Sequence, residues 1–305
     1  MDIARDFAAL RSVLRGLRLK YPVTARIKIV ERLRQTTPRD TEERALRLIA
    51  CRPFVRPDEL YESQLPSGAW SASLAAQPGN CYHTALALMA LKADPNDHRA
   101  IPAAARAFRW LDSMRGLEAH WLWKWKFRYF DRQVRFDTTK NGWPWIDGTV
   151  SWVAPTALVI LAHHVWRREL PRLAPAVAML KDRACPKGGW NAGNSEVFGV
   201  PLDPHPDFTA MALLALQGAY RSDEPIIATA FDYLHRRLMT PDSLYSLAWA
   251  LLAMNTWRYP QAGKIGQRLN ECLITSDMDK VPSRTVALVA LALETPPCSL
   301  FGGRP

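Results

Sequence analysis

Apolar segments of two kinds alternate along the chain. The first kind is apolar all round: Tyr82 to Lys92 carries Thr84-Ala-Leu-Ala-Leu-Met-Ala-Leu91, and similar runs lie near 154–164, 208–219, 244–254 and 283–293. A helix without a polar face is buried on every side. The second kind sets an apolar stripe at spacings of three and four against a charged face. It covers 101–114 (Ile101, Ala105, Phe108, Leu111), 170–182, 225–238 (Ile226, Ile227, Ala230, Phe231, Leu234, Leu238) and 261–273 (Ile265, Leu269, Leu273). A buried helix followed by an amphipathic one, repeated, predicts an all-α protein of stacked helical hairpins. Equivalent Thr or Ser positions lie 37 to 72 residues apart, so loops are inserted between repeats.

Glycine-aromatic turns feed these buried helices. Gly68-Ala69-Trp70 precedes Thr84-Ala85-Leu86, Gly142-Trp143 precedes Thr156-Ala157-Leu158, and Gly188-Gly189-Trp190 precedes Asp207-Phe208-Thr209-Ala210. Asn80 is placed to cap the helix that follows the first turn. At the N-terminus, Ile3, Phe7, Leu10, Leu14 and Leu17 predict a helix over 1–20, broken by Pro22 and followed by a second basic helix to about Arg34. Asp40-Thr41-Glu42-Glu43 reads as a capping box opening a helix to Cys51. Five helical pairs are visible, and the two basic helices are candidates for a sixth. Trp121 to Tyr129 (WLWKWKFRY) breaks the pattern. Its alternation predicts an extended strand with one aromatic face, inserted near 120–136, and its aromatic and basic mixture also suits a membrane interface.

Charge narrows the partners. The net charge is +11, and nine Lys and Arg residues fall in the first 35 positions. Such a surface suits water, an anionic membrane or a protein partner. No nucleic-acid motif accompanies it, so no nucleic acid is expected. The five cysteines are scattered, with no CxxC pair, which predicts reduced thiols in a cytoplasmic protein with, at most, peripheral membrane contact through the basic N-terminus. The longest apolar run, about 150–165, is interrupted by Pro155 and two histidines and is too short to span a bilayer.

Over about Gln64 to Leu293 the chain resembles the squalene cyclase and prenyltransferase repeat superfamily. Gln64-x3-Gly68-x-Trp70 matches the family's Gln-Trp motif, whereas the later turns keep Gly and Trp without the Gln. Gly142 to Thr156 (GWPWIDGTVSWVAPT) and Cys185 to Gln217 are also similar to bacterial members. The resemblance implies an α/α toroid, with inner helices around an axis and outer helices around them. It would occupy 37–295, after basic N-terminal helices in 1–36 and before a tail at 296–305.

The same resemblance implies two kinds of chemistry. Class II terpene cyclases protonate an alkene or epoxide with the middle aspartate of Asp-x-Asp-Asp-Thr-Ala. The matching stretch here is His205-Pro206-Asp207-Phe208-Thr209-Ala210. Asp207 takes the acid's place, His205 and Phe208 replace its partner carboxylates, and His205 could orient Asp207. An aspartate at a helix start is also an N-cap worth about 0.5–2 kcal/mol, and the helix dipole favours its ionised form. Protein prenyltransferase β-subunits hold zinc through Asp, Cys and His. Asp242-Ser243-Leu244-Tyr245-Ser246 resembles their Asp-x-Cys-Tyr-Ser stretch with Leu244 at the cysteine's place, and Cys81-Tyr82-His83-Thr84 resembles their histidine stretch but precedes the Asp site. Zinc wants about four ligands, so neither a metal nor any other cofactor is expected. If the pattern holds, the axis is lined by Tyr82, His83, Trp143, Trp145, Trp152, Trp190, Phe208, Tyr245 and Trp249, a surface suited to an apolar isoprenoid-like molecule. The alternatives are a toroid without chemistry that binds a lipid or a protein partner, and a zinc prenyltransferase-like subunit.

Overall fold

The structure is a computed structural model, and residues 23–50, 57–73, 78–94, 96–130, 136–240 and 243–294 are described. The helix expected over 1–20, Cys51, Asp242 and the tail at 296–305 lie outside these residues.

The segments without a polar face become a ring. The described helices are α1 (Val23–Gln35), α2 (Thr41–Ala50), α3 (Asp58–Glu62), α4 (Cys81–Lys92), α5 (Ala100–Ser113), α6 (Trp121–Tyr129), α7 (Val153–Val165), α8 (Leu173–Asp182), α9 (Pro206–Leu216), α10 (Pro225–Leu238), α11 (Leu244–Thr256), α12 (Ala262–Thr275) and α13 (Ser283–Ala292). Among them α2, α4, α7, α9, α11 and α13 pack in that order, and α13 closes back on α2. Helices α5, α8, α10, α12 and α1 pack against the outside of this ring. The fold is an all-α toroid. A two-stranded hairpin, β1 (Glu196–Val197) with β2 (Val200–Pro201), projects from the loop before α9.

Closure uses the N-terminal segment. Helix α1 packs on α12 and α13, so the sixth pair consists of α1 outside and α2 inside. Part of its positive charge is spent within the molecule: Lys28 Nζ donates to the Ile274 carbonyl, and Arg32 donates to the carbonyls of Asp279 and Val281. Helix α2 opens with a variant of its capping box, in which the return bond reaches the residue before the cap. Asp40 Oδ1 accepts from the Glu43 N–H at 2.7 Å, and Glu43 Oε2 accepts from the Arg39 N–H at 2.8 Å.

One lock recurs three times. The backbone N–H groups of Trp70, Trp143 and Trp190 each donate at 2.9 Å to the hydroxyl of Thr84, Thr156 or Thr209, the fourth residue of the following ring helix. The same hydroxyls donate back to the three tryptophan carbonyls at 3.1–3.4 Å. Each indole N–H then donates outward, to the carbonyls of Leu60, Leu111 and Leu180 respectively. Turn, inner helix and preceding outer segment are thus fastened in one place. Gly189 is needed here: its φ is +84°, and a Cβ would lie 2.6 Å from Thr209 Oγ1. Gln64 adds the brace that the other turns lack, its Nε2 donating to the Gly68 and Ala103 carbonyls at 2.9 Å each.

The ring helices share a register. Their fifth residues are Ala45, Ala85, Ala157, Ala210, Ala248 and Ala287, all without accessible surface. A larger side chain at such a position would overpack the contact, typically at a cost of about 1–3 kcal/mol.

Trp121 to Tyr129 is a helix, not the strand that its alternation predicts. A lone strand there would leave its backbone groups unpaired, whereas the helix bonds its own, with the N–H groups of Lys124 and Phe130 donating to the carbonyls of His120 and Lys126.

The threonine lock predicts a measurable asymmetry. Thr156→Val, which keeps the shape and removes the hydroxyl, should destabilise the protein by about 1–3 kcal/mol in denaturant melts. Thr156→Ser should retain most of the stability.

Candidate functional site at the mouth of the ring

All six ring helices begin at the same end, because each is entered from the turn after an outer helix. Their second residues are Glu42, Tyr82, Ala154, Asp207, Tyr245 and Arg284. Ring order places Glu42 opposite Asp207, and Tyr82 opposite Tyr245. Across this mouth the hydroxyls of Tyr82 and Tyr245 approach to 3.4 Å, and both donate to Glu42 Oε1, at 3.0 and 2.9 Å. The Arg284 guanidinium lies 3.9 Å from Glu42 Oε2. Two tyrosines from opposite walls and a carboxyl therefore bolt the ring across its axis.

Burial dominates the electrostatics. It pushes the Glu42 carboxyl above its ordinary 4.5, and the hydrogen bond from Tyr245, the Arg284 charge and the hydrogen bond from Tyr82 offset this only in part. Burial likewise raises both tyrosine hydroxyls, with the neighbouring Glu42 adding to the effect. His83, half-buried beside Tyr82 with ring centroids 5.2 Å apart, has its pKa lowered to about 4 by burial and is neutral at pH 7.

Aromatic side chains fall into two groups. Trp145, Trp152, Phe208 and Tyr245 keep accessible surface at the mouth, and Tyr82 keeps a trace of it. Tyr82 packs on Trp145 at 4.9 Å between centroids, and Gly193 lies so close to Trp152 that a Cβ would come 2.7 Å from its ring. Trp143, Trp190 and Trp249 have no accessible surface. The first two send their indoles outward in the turn locks, and Trp249 packs edge-on to Tyr245 at 6.3 Å within the ring.

Below the mouth the ring is filled. Residues 84–91, 156–162, 209–216, 247–254 and 286–293 are each at most 2% exposed. Every face of these helices, the one toward the axis included, packs against protein.

Asp207 is half-buried, and the helix it enters begins one residue earlier, at Pro206. The N-cap is therefore His205, without a side-chain cap bond, and Asp207 is not the cap that its sequence context suggests. It sits within the first turn, where the dipole favours a carboxylate. His205 is exposed. Its N–H donates to the Trp190 carbonyl at 2.8 Å, and its ring stands edge-on to Phe208 at 6.0 Å. Among the described residues no group of three or more His, Cys, Asp or Glu side chains is arranged to hold a metal ion. Cys81, at the head of α4, is buried, and burial pushes its thiol well up.

Glu42 and Arg284 were not among the residues singled out from sequence. Glu42 was visible only as a member of a capping box, in a helix whose polar composition (TEERALRLIA) hides its place in the ring.

Against known proteins, the chain matches no family model and no curated protein. Among solved structures it is similar to apo MstE, a type II terpene cyclase from Scytonema. The two share 14% identity with a TM-score of 0.56, covering 93% of this chain and 97% of that one. That likeness shows a terpene cyclase-like fold. No helix among the described residues is long and apolar enough to cross a membrane.

The raised Glu42 pKa carries a sign. The folded carboxyl keeps its proton where the unfolded chain has lost it, so its contribution to stability is complete below pH 4.5 and is lost as pH rises through the raised folded value. Glu42→Gln cannot ionise. The difference in Tm between variant and wild type should therefore shift in the variant's favour as pH rises above 4.5, and parallel Tm–pH curves would count against this state of Glu42.

Proposed function

We propose that the chain is a diverged squalene cyclase and prenyltransferase repeat protein that takes an apolar, isoprenoid-like molecule at the aromatic mouth of its ring, with Asp207 as the acid of a class II terpene cyclase-type step. The observation that carries this reading is the set of partly exposed aromatics, Trp145, Trp152, Phe208 and Tyr245, on a rim that also holds two opposed carboxyls, Asp207 and Glu42. Aromatic faces bind an isoprenoid by apolar contact, and their quadrupoles stabilise a cation formed beside them. In the step itself a carboxyl proton passes to the substrate's double bond or epoxide oxygen. The carboxylate left behind balances the cation, which is discharged when an adjacent C–H gives its proton to that carboxylate or to water. MstE, a terpene cyclase whose chain is almost wholly covered by this one, supports the idea that one toroid of this size suffices.

A second reading is favoured by the filled axis. Cyclisation needs a dry chamber to shield the cation, and here the ring helices pack against protein on every face below the mouth. On that reading the toroid carries a lipid or docks a protein partner without chemistry.

Native mass spectrometry and lipid extraction of gently purified protein, beside Asp207→Asn, separate the two. The enzyme reading expects an isoprenoid that accumulates in the variant while wild type releases a cyclised product. The same ligand, unchanged in both proteins, makes this a carrier, and a co-purifying protein without ligand makes it a scaffold.

A further inference from the structure

Helix α6 stands apart from the burial pattern of the other described helices. Trp121 is 70% exposed, Leu122 51%, Trp125 57%, Tyr129 56% and the following Phe130 67%. Trp121, Trp125 and Tyr129 are spaced by four and so share one face. Trp125 packs on Tyr129 and Phe130 at 5.9 and 5.1 Å between centroids, making one continuous aromatic surface. Lys126 is exposed beside it, its ammonium 4.5 Å from the Trp123 ring. Such a surface is costly in water, and clustered exposed apolar groups mark an interaction site.

The other face is anchored. Trp123 packs on Phe127 at 5.9 Å, Phe127 on Phe136 at 5.2 Å, and the Arg183 guanidinium covers Phe136 at 3.9 Å. Arg183 also donates to the Gly193 carbonyl and to Asn194 Oδ1, and Gly193 lies against Trp152 on the mouth rim. Just before α6, the buried carboxylate of Glu118 accepts from the Ser151 N–H, the residue preceding Trp152. The helix is therefore held firmly, at the mouth end of the ring, with its aromatic face outward. The hairpin tip that follows Asn194, with Phe198 70% and Val200 61% exposed, shares the Arg183 anchor.

We infer that α6 is a membrane-surface anchor that seats Trp121, Trp125, Tyr129 and Phe130 in the interface of an anionic bilayer. The residue types select this occupant. Tryptophan and tyrosine partition to the headgroup level, and lysines on the same short helix, in a chain of net charge +11, are drawn to anionic lipid. A second copy fits less well, since a two-fold contact through this face would bring each Lys126 toward its own copy. A bilayer beneath α6 would also border the mouth, and so place an apolar ligand of the proposed kind beside its site.

Flotation of the full chain with lipid vesicles tests the anchor without any isoprenoid, and so independently of the proposed ligand. Wild type should float with three-to-one phosphatidylcholine–phosphatidylglycerol vesicles, and more weakly with phosphatidylcholine alone. Trp121→Ser with Trp125→Ser should bind the mixed vesicles about tenfold more weakly or worse, with unchanged circular dichroism, because both side chains are exposed. Lys124→Glu with Lys126→Glu should abolish the preference for phosphatidylglycerol, and carries the test if the tryptophan variant misfolds. Equal flotation of wild type and variants, no flotation of wild type, or a wild-type dimer that the tryptophan variant converts to monomer would each overturn the assignment.

Discussion

The threonine hydroxyl at the fourth position of a ring helix is the constraint on which the rest of this structure depends. A turn that enters a helix leaves backbone groups unsatisfied at the place where three layers of chain meet. Thr84, Thr156 and Thr209 resolve this by accepting from a tryptophan N–H and donating to the same residue's carbonyl. The tryptophan side chain then reaches the end of the preceding outer segment. Because the lock is the same each time, α4, α7 and α9 begin at a common level, and their second residues stand on one rim with those of α2, α11 and α13. The candidate site follows from that register rather than from any one motif.

The rim explains the closure. Tyr82 and Tyr245 span the axis to reach Glu42, tying α2 to two walls of the ring. Burial raises the Glu42 carboxyl above its ordinary range, against the opposing pull of Tyr245, Arg284 and Tyr82. Asp207, on the opposite helix, is half-buried in the first turn of α9. The filled interior confines whatever binds to the rim and to the space above it.

Much of the fold was legible in the sequence. The all-round apolar runs and their amphipathic partners predict the ring from α4 to α13 and the outer layer, and the Gly-Trp turns mark where each repeat begins. The helix after Asp40 was expected, but its place in the inner ring was not legible, because Glu42, Glu43, Arg44 and Arg47 break the apolar pattern; these polar residues are nonetheless at most 9% exposed, Arg47 donating to the Leu33 and Thr36 carbonyls and Glu43 accepting from the Arg39 N–H. Alternation in WLWKWKFRY suggested a strand because period two cannot register that no partner strand exists. For the site, Tyr82, Tyr245 and Asp207 were found through a resemblance, whereas Glu42 and Arg284 required the ring to close. Their sequence separation from Tyr82 and from each other gives no local signal.

The central claim is that the working surface is the rim, above the tyrosine bolt, and not a chamber within the ring. A crystal structure with a bound farnesyl-type ligand tests this most directly. The account predicts the ligand against Trp145, Trp152 and Phe208, with Tyr82 and Tyr245 still joined through Glu42. A ligand lying along the axis below separated tyrosines would contradict it.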